Sequence, residues 1–386
     1  MGLLTDLKPI FGLRRKYYIF LNGILIILGW IFLIILKPNL LISSLCLFII
    51  SFGKSFSSVL GEAIVVELSL LKKKINYNEE NIKNEILKKT EYDAKDFISM
   101  FFLIRTFGYL ISSYLQGKII EIFSLKTIFL ITSLIGFLII ISGFLLIEKK
   151  IEIKENEYKI INDLIIFIQK KNIYIPLLFM IIFGCSPSYS QPLFYFITNK
   201  LKFTPSDLGI ISMFSTLFSL IGIFIYKKYL KNIKIKKMLL IGSIILIFLS
   251  FTTYILVKRI NLIFKINDFI FLLFGNCIMS LIGDLVAMPI LSLSAILCPK
   301  NLEGTVYSLF MSANNFGYSL GNLFGSFLTD FYMVTHDNFD NLGKLILTSN
   351  LLSFFIIPVI LIINDEYFSP NDYYGNKNEL NEENNF

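Results

Sequence analysis

Long apolar runs, each about as long as a bilayer is thick, most limit what this chain can fold into. About ten such runs are separated by charged segments, at 17–36, 40–71, 96–121, 127–147, 173–199, 206–226, 238–257, 266–298, 305–333 and 345–363. About 20 apolar residues cross a hydrocarbon core as one helix, and a helix pairs its own backbone groups there. The sequence therefore predicts an all-α integral membrane protein with about ten transmembrane helices.

The composition excludes several function classes. Charged residues make up 17% of the chain, and a soluble domain has about 25%. The four cysteines form no C-x-x-C pair and there is a single histidine, so we predict no metal site and no cofactor. No nucleotide-binding loop or nucleophile–base arrangement is visible, which disfavours an enzyme. The net charge of +8 comes from lysines beside the apolar runs, so nucleic acid is not an expected partner.

The positive charges alternate between loops and predict the topology. They concentrate at 1–16, 72–95, 148–172 and 227–237, which places both termini on the cytoplasmic side of the membrane. The membrane itself is either the plasma membrane or an organelle membrane. We predict a cytoplasmic loop (1–16), an N-terminal helix bundle (17–147), a cytoplasmic linker (148–172), a C-terminal bundle (173–364) and a disordered cytoplasmic tail (365–386). The linker contains NDLIIFIQKK, which suits a short amphipathic helix on the inner surface.

The stretch 51–70 carries charges at membrane depth. Lys54, Ser58 and Glu62 recur at i, i+4 and i+8, on one face of a helix, and Glu67 lies near its end. A charge at the bilayer centre costs roughly 2.5–3.5 kcal/mol, so such residues commonly mark a cavity or a proton path. The alternatives are a structural ion pair between Lys54 and Glu62, and an interfacial position for Glu67.

The run that starts at residue 96 has a second polar stripe. Arg105, Tyr109, Ser112 and Gln116 share one helix face. Arg105 has no carboxylate within a turn of its own helix, so we expect a partner on another helix, with Glu62 first and Glu67 second. The pair is either a permanent structural one, or Arg105 meets an anionic substrate.

The stretch GCSPSYSQP interrupts the run 173–199 with two prolines. A broken helix at membrane depth is tolerated where it is buried or lines a cavity, and transporters bind ligands at such breaks. Tyr189 and Gln191 are therefore candidate ligand-binding residues. The alternative is a proline kink whose backbone groups are satisfied by the neighbouring serines.

Two further stripes lie in the last third of the chain. Asn276, Ser280 and Asp284 recur at i, i+4 and i+8, and Asp284 either faces a cavity or makes an interhelical hydrogen bond. The run 305–333 has polar residues beside glycines at four-residue spacing: Ser312, Asn315, Ser319 and Asn322, with Gly317, Gly321 and Gly325. The glycines predict close helix packing. The polar stripe faces either water or a partner helix.

Several segments resemble the folate–biopterin transporter family of the major facilitator superfamily. They include GLLTDLKPIFGLRRKYY, SSVLGEAIVVE, RTFGYLISSYLQGKIIE, GDLVAMPILSLSAILCP and EGTVYSLFMSANNFGYSLGNLFG, and they recur in the family's order from residue 2 to about residue 360. The resemblance implies a two-bundle fold, normally of twelve helices, with six in the C-terminal bundle. It also implies transport of folates, pterins or related anionic conjugates, with proton coupling.

The resemblance assigns a gating loop at the start of the chain. Gly2, Asp6, Arg14 and Arg15 match the family's inner loop between its second and third helices. By that alignment the chain lacks the first two helices, which leaves the N-terminal bundle incomplete. The alternative function is therefore a truncated, non-transporting membrane paralogue or an assembly partner. Asp284 stands where the family is expected to have a neutral amide.

The leading hypothesis is a secondary active transporter that works by alternating access as a proton symporter. Its expected partners are a folate- or pterin-type substrate, protons and membrane lipid. The predicted substrate-binding residues are Lys54, Arg105, Tyr189, Gln191, Asn276 and Asn315. The predicted proton-coupling carboxylates are Glu62, Glu67 and Asp284.

Overall fold

The computed structural model describes residues 1–36, 39–71, 83–148, 150, 157–298 and 302–368. Within these ranges it is helical and contains no strand, which confirms the predicted all-α class. The α-helices, α1 to α14 in chain order, are Gly2–Leu7, Lys16–Ile35, Leu40–Leu71, Lys83–Ile122, Leu125–Leu145, Glu157–Gln169, Lys171–Gly184, Ser190–Tyr195, Pro205–Ile225, Ile235–Val257, Asp268–Ile296, Glu303–Phe331, Leu342–Ser353 and Ile356–Ile362. Nearly all of the predicted disordered tail lies outside the described residues.

Eight of the described helical segments are long and apolar enough to cross a membrane. They are Lys16–Ile35, Leu40–Leu68, Lys95–Ile122, Leu125–Leu145, Pro205–Leu230, Ile235–Val257, Asp268–Ile296 and Leu342–Ile362. Of the remaining predicted spans, 305–333 corresponds to the long but more polar α12, and 173–199 is broken. The break separates α7 from α8 and is followed by a π-helical segment, Phe196–Lys200.

The first of two compact units comprises Met1–Tyr77, Ile119–Phe167 and Cys298–Leu309. In this unit α2 packs against both α3 and α5 around buried Tyr18, Phe56 and Leu60. The amphipathic helix expected in the linker is present as α6.

The second compact unit comprises Asn78–Lys118, Ile168–Leu297 and Phe310–Phe386. Its apolar core includes Phe196, Leu256, Leu342 and Leu345, and α11 packs against both α9 and α10. The predicted boundary between bundles at 148–172 stays a prediction.

Candidate functional site

A cavity of about 670 Å³ lies within the second unit, bordered by α4, α9 and α11. Small-molecule sites commonly measure about 300–1,000 Å³. Most of the side chains that line the cavity are polar: Phe102, Arg105, Thr106, Tyr109, Ser112, Ser113, Gln116, Ser212, Ser215, Thr216, Ser219, Ser280, Gly283 and Asp284. A polar cavity bordered by three apolar helices is a candidate site for a polar or charged ligand.

The Arg105 stripe forms one wall of this cavity. All four of its predicted members, Arg105, Tyr109, Ser112 and Gln116, are lining residues. The Arg105 Nε donates a hydrogen bond to the Tyr109 hydroxyl at 3.2 Å, and the guanidinium carbon lies 5.5 Å from the centroid of the Phe102 ring. These contacts hold the cation on the cavity wall, where a guanidinium can bind a carboxylate through two parallel hydrogen bonds.

The Asp284 stripe on α11 contributes an acidic side chain to the same cavity. Ser280 and Asp284 line the cavity, and the Asp284 carboxylate accepts a hydrogen bond from the Ser219 hydroxyl on α9. Both alternatives offered by the sequence are therefore present at Asp284: a cavity position and an interhelical hydrogen bond. Asn276, two turns earlier, is half-buried and is not among the residues that line this cavity in the described chain.

Glycines bring the cavity helices close together. A Cβ on Gly222 of α9 would lie 2.6 Å from the carbonyl oxygen of Leu281 on α11. A Cβ on Gly117 of α4 would lie 3.0 Å from the Cα of Gly209 on α9. Any larger residue at these two crossings requires the helices to separate, so the small residues fix the width of the cavity.

A second, smaller cavity of about 430 Å³ lies at the helix break of the second unit. Gln191 lines it, whereas Tyr189 packs against the apolar core of the unit. The Ser188 N–H donates to the Gly321 carbonyl on α12 at 3.1 Å. The glycine stripe of α12 thus lets the broken segment approach closely enough for its backbone to be satisfied by another helix.

The first unit holds a buried network that we call the inner loop cluster: Asp6, Arg15, Glu67 and Thr305. Arg15 contacts Asp6 through Nη2 and Glu67 through Nε, each at 3.3 Å. Thr305 donates to Asp6 Oδ2 from its backbone N–H at 2.7 Å and its hydroxyl at 2.8 Å. Asp6 therefore binds the N-terminus of α12, where the helix dipole favours an anion. Burial raises the pKa of Asp6, and Arg15 and Thr305 oppose that effect.

The other members of the predicted gating loop support this cluster. A Cβ on Gly2 would collide with the carbonyl of Gly304, so the close contact of α1 with the start of α12 requires glycine. The backbone N–H groups of Arg14, Arg15 and Lys16 donate to the Glu148 carboxylate at 2.9–3.1 Å. Glu148 thereby satisfies the first N–H groups at the start of α2.

The remaining predicted residues lie elsewhere. Lys54 is exposed in the first unit, with its Nζ 5.4 Å from the centroid of the Trp30 ring, and Glu62 is buried and accepts from Ser58 at 3.1 Å. Asn315 is exposed on α12. The expected pairing of Arg105 with Glu62 stays a prediction, and Glu67, the second candidate partner, pairs with Arg15.

Sequence reasoning missed the hydroxyl face of α9. Ser212, Ser215, Thr216 and Ser219 all line the larger cavity. Their spacing of i, i+3, i+4 and i+7 within an apolar run is the signal that would have found them. Thr305 and Glu148 were also missed, because their contacts join residues that are far apart in the chain.

The chain matches the BT1 family model over residues 1–379. The protein named Folate transporter 1 of Plasmodium falciparum is 36% identical, over 96% of this chain and 69% of its own length. The Folate-biopterin transporter of Synechocystis sp. is 29% identical, over 93% of this chain and 70% of its own length. The structure of the E. coli fucose:proton symporter, a major facilitator superfamily transporter, superposes with a TM-score of 0.56 at 14% identity, covering 95% of this chain and 86% of the symporter. This likeness confirms the predicted fold.

Proposed function

The chain belongs to the BT1 family, the folate–biopterin transporters, and on that premise we propose that it is a secondary active transporter of folates, pterins or related anionic conjugates. It is a multi-pass integral membrane protein, and its relatives are named as transporters and not as enzymes. The observation that carries the proposal is the polar cavity of the second unit, with Arg105 on one helix and Asp284 on another.

Arg105 is the proposed anion-binding residue. A guanidinium is always charged and matches the planar geometry of a carboxylate. The hydroxyls of α4 and α9 and the Gln116 amide supply further donors and acceptors for ring heteroatoms. Among the other residues predicted to bind substrate, Gln191 borders the second cavity. Lys54, Tyr189, Asn276 and Asn315 line neither of the two cavities described above, so we centre the proposal on Arg105.

Alternating access requires a gate that can break, and the inner loop cluster is our candidate. We propose that Asp6 releases Thr305 and Arg15 when the cytoplasmic side opens. Both termini are proposed to be cytoplasmic, which puts this cluster on the inner side. The charged contacts are few and specific, so one conformation can hold them and the other can lose them.

Proton symport is proposed at a carboxylate, and the three candidates differ in their surroundings. Glu67 already has a cationic partner, because its carboxylate lies 3.3 Å from Arg15 Nε. Glu62 lies within a membrane-spanning helix and is buried, with 6% of its surface exposed, and carboxylates in that setting commonly serve proton relays. Asp284 borders the larger cavity. Glu62 is therefore the first candidate for the coupling proton and Asp284 the second.

The test of transport is uptake by vesicles that contain the full chain. We expect labelled folate and a pterin to accumulate, and uptake to rise with an inward proton gradient; p-aminobenzoate is tested beside them. Arg105→Gln should lower folate uptake about 100-fold, because a charge-assisted hydrogen-bonded pair is lost. The matched control is Lys118→Gln, which removes an exposed cation from the same helix. Wild-type vesicles that accumulate none of these compounds would support the non-transporting alternative.

The test of coupling compares two variants in the same vesicles. Glu62→Gln should abolish the dependence of uptake on the proton gradient while uptake at equal pH continues. Asp284→Asn should leave the dependence on the gradient in place. An unchanged response to the gradient in Glu62→Gln would reject Glu62 as the coupling site, and loss of the response in Asp284→Asn would move the role to Asp284.

A further inference from the structure

We infer that the larger cavity divides its ligand between two charged ends: Asp284 binds the amino-pyrimidinone edge of a pterin ring, and Arg105 binds the carboxylates of the attached conjugate. This inference rests on the proposed function and deepens it, because it gives the orientation of the ligand. It also assigns Asp284 to ligand recognition, which leaves the coupling proton to Glu62.

Folate and biopterin are the two compounds in the name of the Synechocystis relative. Folate and biopterin share only the pterin ring, since folate continues into an acidic conjugate and biopterin ends in a short hydroxylated chain. A site that accepts both must therefore recognise the ring itself. One edge of that ring presents a ring N–H and an exocyclic amino group side by side, and a carboxylate can accept a hydrogen bond from each with its two oxygens.

Asp284 has the acceptor capacity for this contact. Its carboxylate is the acidic group among the residues that line the cavity, and Ser219 donates to one oxygen, Oδ2. A carboxyl group has two oxygens with several lone-pair positions, so that one hydrogen bond leaves acceptor capacity on both oxygens. The close crossing at Gly222 and Leu281 fixes α9 against α11 and so orients the acceptor before a ligand arrives.

Gly283 provides the space for a flat ring beside this carboxylate. Gly283 lines the cavity next to Asp284, and a Cβ placed on it meets no atom within 4 Å. Helix packing does not require a glycine here, in contrast to Gly222. A side chain added at this position would therefore project into free space next to Asp284, where the ring is expected to lie.

Arg105 on α4 and Asp284 on α11 line the same cavity from different helices. The guanidinium carbon is 5.5 Å from the Phe102 ring centroid and 5.6 Å from that of Tyr109. The two rings hold the cation in place at the border of the cavity. A ligand with its ring at Asp284 would therefore extend its acidic end toward Arg105.

The experiment measures binding of three ligands to the purified full chain in lipid nanodiscs. Biopterin carries the ring without a carboxylate, p-aminobenzoylglutamate carries the acidic end without the ring, and folate carries both. Asp284→Asn should weaken the binding of biopterin and folate about 10- to 100-fold and change the affinity for p-aminobenzoylglutamate less than about 3-fold. Arg105→Gln should weaken the binding of folate and p-aminobenzoylglutamate by a similar factor and leave the binding of biopterin unchanged.

The effects of the two variants on the three ligands distinguish a failure of this inference from a failure of the proposed function. If the wild-type chain binds none of the three ligands, the proposed function fails. If it binds them but Asp284→Asn weakens all three equally, or spares biopterin, the inference is wrong and the proposed function stands.

A steric test does not depend on charge. Gly283→Leu should reduce biopterin binding at least about 10-fold, because its side chain occupies the space of the ring. Gly108→Leu is the matched control, since a Cβ on Gly108 also meets no atom within 4 Å and Gly108 is not among the residues that line the cavity. Equal loss of biopterin binding in both variants, with unchanged melting temperatures, would overturn the inference. If either leucine variant fails to fold, the alanine pair replaces it.

Discussion

Asp6 and Asp284 show how one residue type takes two roles. Each accepts a hydrogen bond from a hydroxyl side chain on another helix, Thr305 or Ser219. The side chain of Asp6 is 0% exposed and also contacts Arg15, whose side chain is 1% exposed. Asp284 instead borders a cavity of about 670 Å³. A carboxylate that is paired within the protein therefore stabilises the conformation that makes those contacts, whereas a carboxylate beside open space is available to a ligand.

The largest effect should come from breaking the closed network. Arg15→Gln removes the cation between Asp6 and Glu67, and a buried carboxylate that loses its partner costs about 3 kcal/mol. We expect a clearly lower free energy of unfolding, measured by denaturation of the purified protein in detergent. Asp284→Asn should change it by less than about 1 kcal/mol, because Ser219 can still donate to the amide oxygen.

Arg14→Gln is the matched control for this comparison. Arg14 is also buried, and its backbone N–H donates to Glu148, but its side-chain Nε has no hydrogen-bond partner in the described chain. Its replacement should therefore be milder than that of Arg15. Equal destabilisation by Arg14→Gln, Arg15→Gln and Asp284→Asn would show that the two regions do not differ in the way that we describe.

A medium effect is expected where the cavity walls touch. Gly222→Ala places a methyl group 2.6 Å from the Leu281 carbonyl oxygen, and overpacking of this kind costs about 1–3 kcal/mol. It should also weaken binding of folate, because the separation of α9 from α11 moves Ser219 away from Asp284. Gly108→Ala, with no atom within 4 Å of the added methyl, serves as the control. Unfolding and binding curves of the two variants with no difference would contradict the close crossing.

Periodicity predicted what lies on one helix. Two predicted stripes face the same cavity, because side chains three and four residues apart share a helix face. They are Arg105–Tyr109–Ser112–Gln116 and Ser280–Asp284. The bounds of most apolar helices were also within a few residues of the prediction, since hydrophobic length determines a membrane span. The helix break was readable because proline removes a backbone donor.

Periodicity does not predict which helix lies opposite. Nothing in the sequence around Asp6 indicates Thr305, which is almost three hundred positions away and whose backbone N–H is the donor. Nor does the pattern around Asn276 distinguish that residue from Asp284, although Asp284 lines the cavity and Asn276 does not. These outcomes depend on the angle and separation of packed helices, and those follow from glycine crossings such as that of Gly222 on Leu281.

The smallest effect is expected at the helix ends of the first unit, where we ask whether the start of α2 and the end of α5 belong to one network of contacts. Glu148 accepts from the first N–H groups of α2, and Lys16 Nζ donates to the carbonyls of Phe144 and Leu146 at the end of α5, at 3.1 and 3.0 Å. The two side chains thus cap adjacent helix ends, the start of α2 and the end of α5. Glu148→Gln removes the charge that the dipole of α2 favours and should lower the free energy of unfolding by about 1 kcal/mol.

Glu148→Asp keeps the charge on a shorter side chain and serves as the control. It should lower the free energy of unfolding less than Glu148→Gln does. The decisive measurement is a double-mutant cycle with Lys16→Met. Side chains that share one local network couple by about 0.5–3 kcal/mol, whereas independent sites add within about 0.5 kcal/mol. Strict additivity would mean that the two caps act separately and that the closed network ends at Arg15. Coupling would extend it to the junction of α2 and α5, because the loss of either cap then loosens the contact that positions the other.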